Sequence, residues 1–248
     1  MTKPHLYLIH GWGMNKAIWQ PITYSLTEYF EIHLLDLPGY GDAHASYPAN
    51  YSLTNISQQL AEQIEVPGLI LGWSLGGLVA QQIAISNPEK LTYLISLAST
   101  PCFQAHTKWP GIRPEILQTF QQQLANDYQK TIERFLAIQA MGSTTAKQDI
   151  KLIKQLLMQH TSPCKNVLTA GLSILEQADL RLNIADIKTP CTRLYGKLDS
   201  LVPAKAIAPI QQLHPQSQYY VFEKASHAPF ISHPDEFSQV ILSLLHKI

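Results

Sequence analysis

No run in this 248-residue chain is long and apolar enough to cross a bilayer, and no secretory leader is expected ahead of Leu6. Cysteine is scarce. The three present, Cys102, Cys164 and Cys191, lack the paired spacing of metal ligands and cannot all pair with one another. They read as free thiols, used as small packing residues in a reducing compartment. A cytoplasmic protein without membrane contact is the expectation. An excess of one charge is missing too: 18 Lys and Arg balance 18 Asp and Glu. The overall charge therefore does not suggest nucleic acid as a partner. Repeats and low-complexity tracts are absent, "QQQ" at 121–123 being too short to count.

What is present is alternation. Short, mostly unbroken apolar runs rich in β-formers stand at 6–10, 32–37, 68–72, 93–99, 191–196 and 218–224. Such runs are the mark of strands covered on both faces. Helical patterns follow several of them, at 16–29, 54–64, 75–86 and 234–247. Strand–helix alternation predicts a doubly wound, mostly parallel sheet, and the length suits one α/β domain or a core with an insertion. The rhythm stops after Pro101. From 114 to about 176 the pattern is helical throughout, and strands resume at "TPCTRLYG". The expected organisation is a core of residues 1–103 and 177–248 carrying a helical lid, 104–176. Residues 104–176 hold eight basic and five acidic side chains, a net of +3, which leaves −3 for the remainder. A neutral chain with one basic region is suited to meet something acidic there.

The pattern G-x-S-x-G occurs as Gly72-Trp73-Ser74-Leu75-Gly76. A buried strand precedes it and an apolar helix follows at once. So tight a turn forces the serine into an unfavourable backbone conformation, and flanking glycines remove the clash. The helix N-terminus leaves N–H groups near Ser74 that favour developing negative charge. A serine hydroxyl needs a base, and the base an orienting acid. Both are expected at the carboxyl ends of later strands. Asp199 follows "CTRLYG" and His227 follows "QYYVFEK". Asp179 and Asp186 precede their strand, and His233 stands directly before Pro234 where a helix starts, so position favours Asp199 and His227. For the oxyanion, the N–H after the nucleophile, Leu75, is one candidate donor. The loop "HGWG" (10–13) after the first strand supplies the second, Trp12 N–H, with His10 and Gly13 shaping it. Trp12, Trp73, Leu75 and Phe135 are the candidates for substrate contact. Phe120, Leu124 and Met141 are open to two readings, acyl channel or helix packing.

Together these residues resemble the α/β-hydrolase superfamily. The segments "HGWG", "DLPGYG", "GWSLGG", "LYGKLDSLVP" and "SHAPFISHP" narrow the likeness to the pimeloyl-[acyl-carrier protein] methyl ester esterases of biotin synthesis. The likeness extends through "SLASTPCFQA", "WPGIRPE", "FQQQLANDYQKTIERFLAIQAMGSTTAKQD" and "GLSILEQADLR", and so across the helical insertion. Two departures stand out. The family has one or two strands ahead of "HGWG", where only five residues precede Leu6, so a shorter sheet edge is expected. After "DLPGYG" this chain reads "DAH" (42–44) in place of an Arg-Ser-like pair.

The resemblance implies an α/β-hydrolase fold and a serine carboxylesterase with Ser74 as nucleophile, His227 as base and Asp199 as its orienting acid, needing no metal or organic cofactor. It implies an acyl-carrier protein bearing the pimeloyl methyl ester as partner, and a monomer. Lys147, Lys151 and Lys154 share one helix face by spacing, and Lys130 and Arg134 are four apart on the preceding helix. Lys130, Arg134, Lys147 and Lys151 are the candidate docking residues. A general short-chain carboxylesterase, or a menaquinone-pathway hydrolase or lyase of the same fold acting on a free small molecule, is the alternative.

Overall fold

The computed structural model describes residues 2–247. Six parallel strands form one sheet in the order β2-β1-β3-β4-β5-β6. They are β1 (His5–Ile9), β2 (Glu31–Leu35), β3 (Gly68–Trp73), β4 (Leu91–Leu97), β5 (Cys191–Gly196) and β6 (Gln218–Phe222). Between and after them run α1 (Gln20–Thr27), α2 (Leu53–Ala61), α3 (Leu75–Ser86), α4 (Pro114–Asn126), α5 (Tyr128–Ala140), α6 (Ala146–Leu157), α7 (Lys165–Gln177), α8 (Ile207–Leu213), α9 (Pro229–Ser232) and α10 (Pro234–Ser243). The inner strands β3 and β5 are buried along their whole length, because helices cover both faces. At the edges, β2 exposes Glu31 and β6 exposes Gln218, Tyr219 and Tyr220.

Two local readings needed correction. The helix expected over 16–29 is broken into a 3-10 turn, Lys16–Trp19, and then α1. Pro21 is the reason: without an N–H it fits only the first turn of a helix, so the helix restarts there. Strands β1, β2, β4 and β6 stop one or two residues short of their apolar runs. His10, Asp36, Leu37, Ala98 and Ser99 lie beyond the ladders, buried in loops at the carboxyl end of the sheet.

Strand β1 has β2 on one side and β3 on the other. Chain connections therefore diverge at its carboxyl end and open a crevice there. The loop 10–15 and the start of α3 border that crevice. Helices α4–α7, which lie between β4 and β5 in the chain, rest on this end of the core. Trp12 Nε1 donates to the Leu168 carbonyl at 2.9 Å, and Asn15 Nδ2 to that of Leu157 at 3.3 Å. His160 Nδ1 lies 2.9 Å from Asp42 Oδ1, and Lys16 Nζ lies 2.7 Å from Asp42 Oδ2. The Lys16 hydrogen bond first, then that of His160, holds the Asp42 carboxyl below the usual carboxylate range. The departure at "DAH" thus has a structural role: it clasps the chain just after α6 to the core.

A buried cation sits among β5, α3 and the end of α8. Arg193 Nη1 donates to Gln81 Oε1 at 3.0 Å, and Nη2 lies 3.3 Å from His214 Nδ1. The imidazole must be neutral to accept from a guanidinium. Burial, and then the Arg193 charge, push the His214 pKa from 6.5 down to about 4. His10 is displaced the same way, by its own burial. The unfolded chain therefore binds protons on these imidazoles that the folded chain refuses. The contribution of these imidazoles to stability is expected to be complete at pH 6.5 and to fall as pH drops towards about 4. Urea midpoints across that range will show the slope, and His214→Gln will lessen it.

Candidate active site

Ser74 joins β3 to α3 with φ 55° and ψ −117°. A non-glycine residue in such a conformation costs about 1–3 kcal/mol and persists only when its surroundings enforce it. They do so here. The Ser74 N–H donates to the Leu97 carbonyl at 2.9 Å. Its carbonyl accepts from Gly77 N–H at 3.0 Å, Leu78 N–H at 3.1 Å and Ser99 Oγ at 2.8 Å. The flanking glycines allow backbone to touch backbone. A Cβ on Gly72 would strike the Gly76 carbonyl, and one on Gly76 would strike the carbonyls of Ile9 and His10. Helix α3 starts at Leu75, so its first N–H groups have no acceptor one turn earlier.

Asp199 lies beyond β5 and His227 beyond β6, on loops at the same end of the sheet. His227 Nδ1 donates to Asp199 Oδ2 at 2.7 Å, both side chains being fully buried. The other carboxylate oxygen accepts from Leu201 N–H at 2.8 Å and Val202 N–H at 3.0 Å. Three donors thus fix the carboxylate, and it fixes the imidazole tautomer with Nε2 left unprotonated to accept. His227 Nε2 is buried without a hydrogen-bond partner among the described residues. An imidazole with one nitrogen held by a carboxylate and the other left as an unoccupied acceptor is the arrangement a general base requires.

The loop 10–13 borders the same point. A Cβ on Gly11 would sit 3.2 Å from Ser74 Cβ, so the backbone leading into Trp12 lies against the serine. His10 pins this loop. Its Nδ1–H donates to the Gly11 carbonyl at 2.8 Å, and Nε2 accepts the Leu37 N–H at 3.0 Å. The Trp12 ring meets Phe135 of α5 edge-on at 4.8 Å, and Phe135 meets Phe120 of α4 at 5.6 Å. Ser74 is only 2% exposed.

The remaining candidates separate by place. Trp73 props His227: its Nε1 donates to the His227 carbonyl at 2.8 Å, and its ring packs on Phe230 at 5.0 Å. Phe120 and Leu124 are buried, whereas Met141 is 53% exposed. Asp179 is paired with Arg181, Asp186 closes a 3-10 turn, and His233 caps α10 with its ring on Ser232. Lys130, Arg134, Lys147 and Lys151 are exposed on α5 and α6. Lys154 is held by Glu133 at 2.6 Å, and Lys130 lies 3.3 Å from Asp127.

Sequence reasoning missed the anchorage of the histidine loop. His227 N–H donates to the Gln139 carbonyl at 3.1 Å, and Ser226 Oγ to that of Met141 at 3.0 Å. Both acceptors lie at the end of α5. No periodicity could have signalled backbone acceptors 85 or more positions away. Gly11, inside the "HGWG" loop, was legible in type but not in its contact.

A sequence profile described as alpha/beta hydrolase fold matches residues 4–234. The chain belongs to the alpha/beta hydrolase fold family. Among curated proteins, this hydrolase is 48% identical over 242 residues to the pimeloyl-[acyl-carrier protein] methyl ester esterase of Yersinia enterocolitica, covering 98% of this chain and 93% of that protein. Among solved structures, an esterase from Exiguobacterium antarcticum superposes with a TM-score of 0.86 at 19% identity, covering 99% of this chain and 93% of the other. A hydrolase from Oleispira antarctica gives 0.88 at 17% identity, covering 100% and 93%. At those identities the structural likeness speaks for the fold alone.

The elbow of this hydrolase yields one structural prediction. In Gly76→Ala, a methyl group meets main-chain carbonyls that cannot swing away. The variant is expected to lose about 3 kcal/mol of unfolding free energy, read from urea denaturation.

Proposed function

We propose that this alpha/beta hydrolase is a serine carboxylesterase of biotin biosynthesis that hydrolyses the methyl ester of pimeloyl-[acyl-carrier protein] to pimeloyl-[acyl-carrier protein] and methanol. The observation that carries this reading is the 48% identity to an esterase of that name over 98% of the chain, which takes in α4–α7 as well as the core. The elbow alone supports acyl transfer on some ester. The match across those helices supports this one.

In this reading Ser74 Oγ attacks the ester carbonyl carbon while His227 Nε2 takes its proton. The developing oxyanion is met by the N–H groups of Trp12 and Leu75, each contributing about 3 kcal/mol to the transition state. The tetrahedral intermediate collapses, and the proton passes from His227 to the departing methoxide, so that methanol leaves. Water then attacks the acyl-serine with His227 again as base, returning Ser74 and the free carboxylate. Asp199 keeps the imidazole oriented and stabilises its cationic form. Residues 104–176 act as a lid over this chemistry, and the division into core and lid is part of the proposal. Trp12, Trp73, Leu75 and Phe135 bound the acyl path, Trp73 acting through His227. An open groove of about 330 Å3 between α5 and α6 is lined by Ile132, Leu136, Leu157 and Met158, with the Glu133–Lys154 pair and Ser162 at its polar side. Ile132 also abuts Gly13, which places the groove beside the oxyanion loop. It suits the apolar arm of a carrier-bound acyl chain, each buried methylene contributing about 0.8 kcal/mol.

The acidic carrier would dock on Lys130, Arg134, Lys147 and Lys151. Lys130 already has a partner in Asp127, so Lys147 and Lys151 are the sharper test. Exposed pairs contribute about 1 kcal/mol or less apiece but together set encounter rate and register.

Methanol release from the carrier-bound methyl ester tests the assignment. Ser74→Ala is expected to lower kcat by about 10^6 and Asp199→Asn by about 10^4, with circular dichroism unchanged. Reversing Lys147 and Lys151 to Glu is expected to raise KM for the carrier-bound ester about tenfold, the sum of two exposed pairs, while turnover of a short free ester is unaffected. Equal efficiency on both esters, untouched by that reversal, would overturn the carrier-bound substrate.

A further inference from the structure

The edge of the sheet farthest from β6 carries a cluster that the hydrolytic reaction does not use. In the β1–β2 ladder His5 stands opposite Glu31, and Tyr7 opposite His33. Residues two apart on a strand share a face, so all four side chains project to the same side. Tyr7 is fixed by its hydroxyl, which donates to the Val66 carbonyl at 2.8 Å. His33 stacks on Tyr7 with ring centres 4.5 Å apart, and His5 lies 5.0 Å from His33 with its ring inclined by 15°. His5 Nδ1 and His33 Nε2 are hydrogen-bonded to one another at 2.8 Å. The Glu31 carboxylate stands 3.7 Å from His5 Nε2 and 3.9 Å from His33 Nε2. Among the described residues this is the one group of three His, Cys, Asp or Glu side chains whose donor atoms all fall within 4.8 Å.

We propose that His5, His33 and Glu31 form a binding site for a divalent transition-metal ion of the zinc type, which ties the edge strand β2 to β1. Two imidazoles and one carboxylate are a preferred donor set for such ions, with water completing the coordination on the exposed side. Donors on tetrahedral zinc sit about 2.0–2.1 Å from the metal and hence about 3.4 Å from one another. With His5 Nδ1 and His33 Nε2 as the ligand atoms, the ion replaces the hydrogen bond between them, that pair opening from 2.8 Å and the carboxylate closing on His33 from 3.9 Å, each by about half an ångström. The closing movement is easy, because the Glu31 side chain is 60% exposed. Its backbone is anchored, its N–H donating to the Pro4 carbonyl at 3.0 Å. The His33 ring is already held against Tyr7, and both imidazoles are confined to one face of the ladder, which limits the ordering to be done on binding.

The ion takes no part in ester hydrolysis. His5 and Glu31 begin their strands, whereas Ser74 follows the last residue of β3. The separation is about one strand length, ~17 Å. The effect of binding is therefore on stability. Strand β2 has a neighbour on one side only, and an ion held by both strands acts as a crosslink at that edge. Any group that binds the folded chain and not the unfolded one stabilises by mass action.

The test uses tag-free full-length protein stripped with chelator. Zn2+ is titrated by calorimetry, and Co2+ by its visible absorption, which reports coordination geometry. One ion per chain is expected, with a rise in Tm on adding Zn2+. His33→Ala is expected to weaken binding more than about tenfold, since loss of even an outer-shell partner costs 10–100-fold, and to abolish the rise in Tm. Glu31→Gln, which keeps the shape of the side chain, is expected to weaken binding as well. Circular dichroism and hydrolysis of a short ester without Zn2+ report that the variants are folded. His5→Asn is measured if His33→Ala fails that check. Absence of saturable Zn2+ binding by the unaltered protein overturns the proposal. So does binding that survives unchanged in the His5→Asn or Glu31→Gln protein, which would place the ion elsewhere.

Discussion

The contact on which the rest of this structure depends is between main chains. Helix α3 lies so close to β1 and β3 that there is no room for a side chain at Gly72 or Gly76. That closeness holds Ser74 at φ 55°. It also brings the loop after β1 against the serine. The cost of one strained residue, about 1–3 kcal/mol, is small beside the burial of α3, which is apolar on nearly every side. The geometry of the site is in this sense a product of the core. Packing that buries α3 also strains the serine backbone, and loosening one would relax the other.

Around that point, polar groups are held by partners of matched number. Asp199 accepts from three donors, and His10 engages both of its ring nitrogens. His227 Nε2 is buried without a partner among the described residues, as are the side-chain amide of Gln139 and His214 Nε2. A buried polar atom left unsatisfied costs about 1–3 kcal/mol, and in the proposed reaction His227 Nε2 is the one that the serine proton would fill.

How much of this was legible beforehand follows from the kind of constraint involved. The alternation of strands and helices was readable because burial on both faces leaves unbroken apolar runs. The elbow was readable because backbone crowding demands glycine at fixed spacing. Asp199 and His227 stood out because they directly follow strands, and the structure brings them within 2.7 Å. The break at Pro21 was present in the sequence but outweighed by the apolar periodicity around it. The clasp of Asp42 to His160, the pairing of Arg193 with His214 and the anchorage of His227 on Gln139 left no local pattern. Each joins segments far apart in the chain, and one member of the last pair is a main-chain carbonyl, which every residue possesses. The lysines of α5 and α6 show the same limit: helical spacing revealed a common face but not that Glu133 occupies Lys154.

The end of α5 supplies acceptors to Ser226 and His227, and this bears on how the buried serine is reached. Were the whole insertion to swing away as one plate, the imidazole would lose its footing at the instant the ester arrived. An opening that left the end of α5 in place would keep both bonds and, with them, the setting of the imidazole. Helices α6 and α7 are joined to the core by hydrogen bonds at Asn15, Asp42 and Trp12 and by the buried side chains of Ile153, Leu156, Leu168 and Leu172, so the insertion is tied down at both ends.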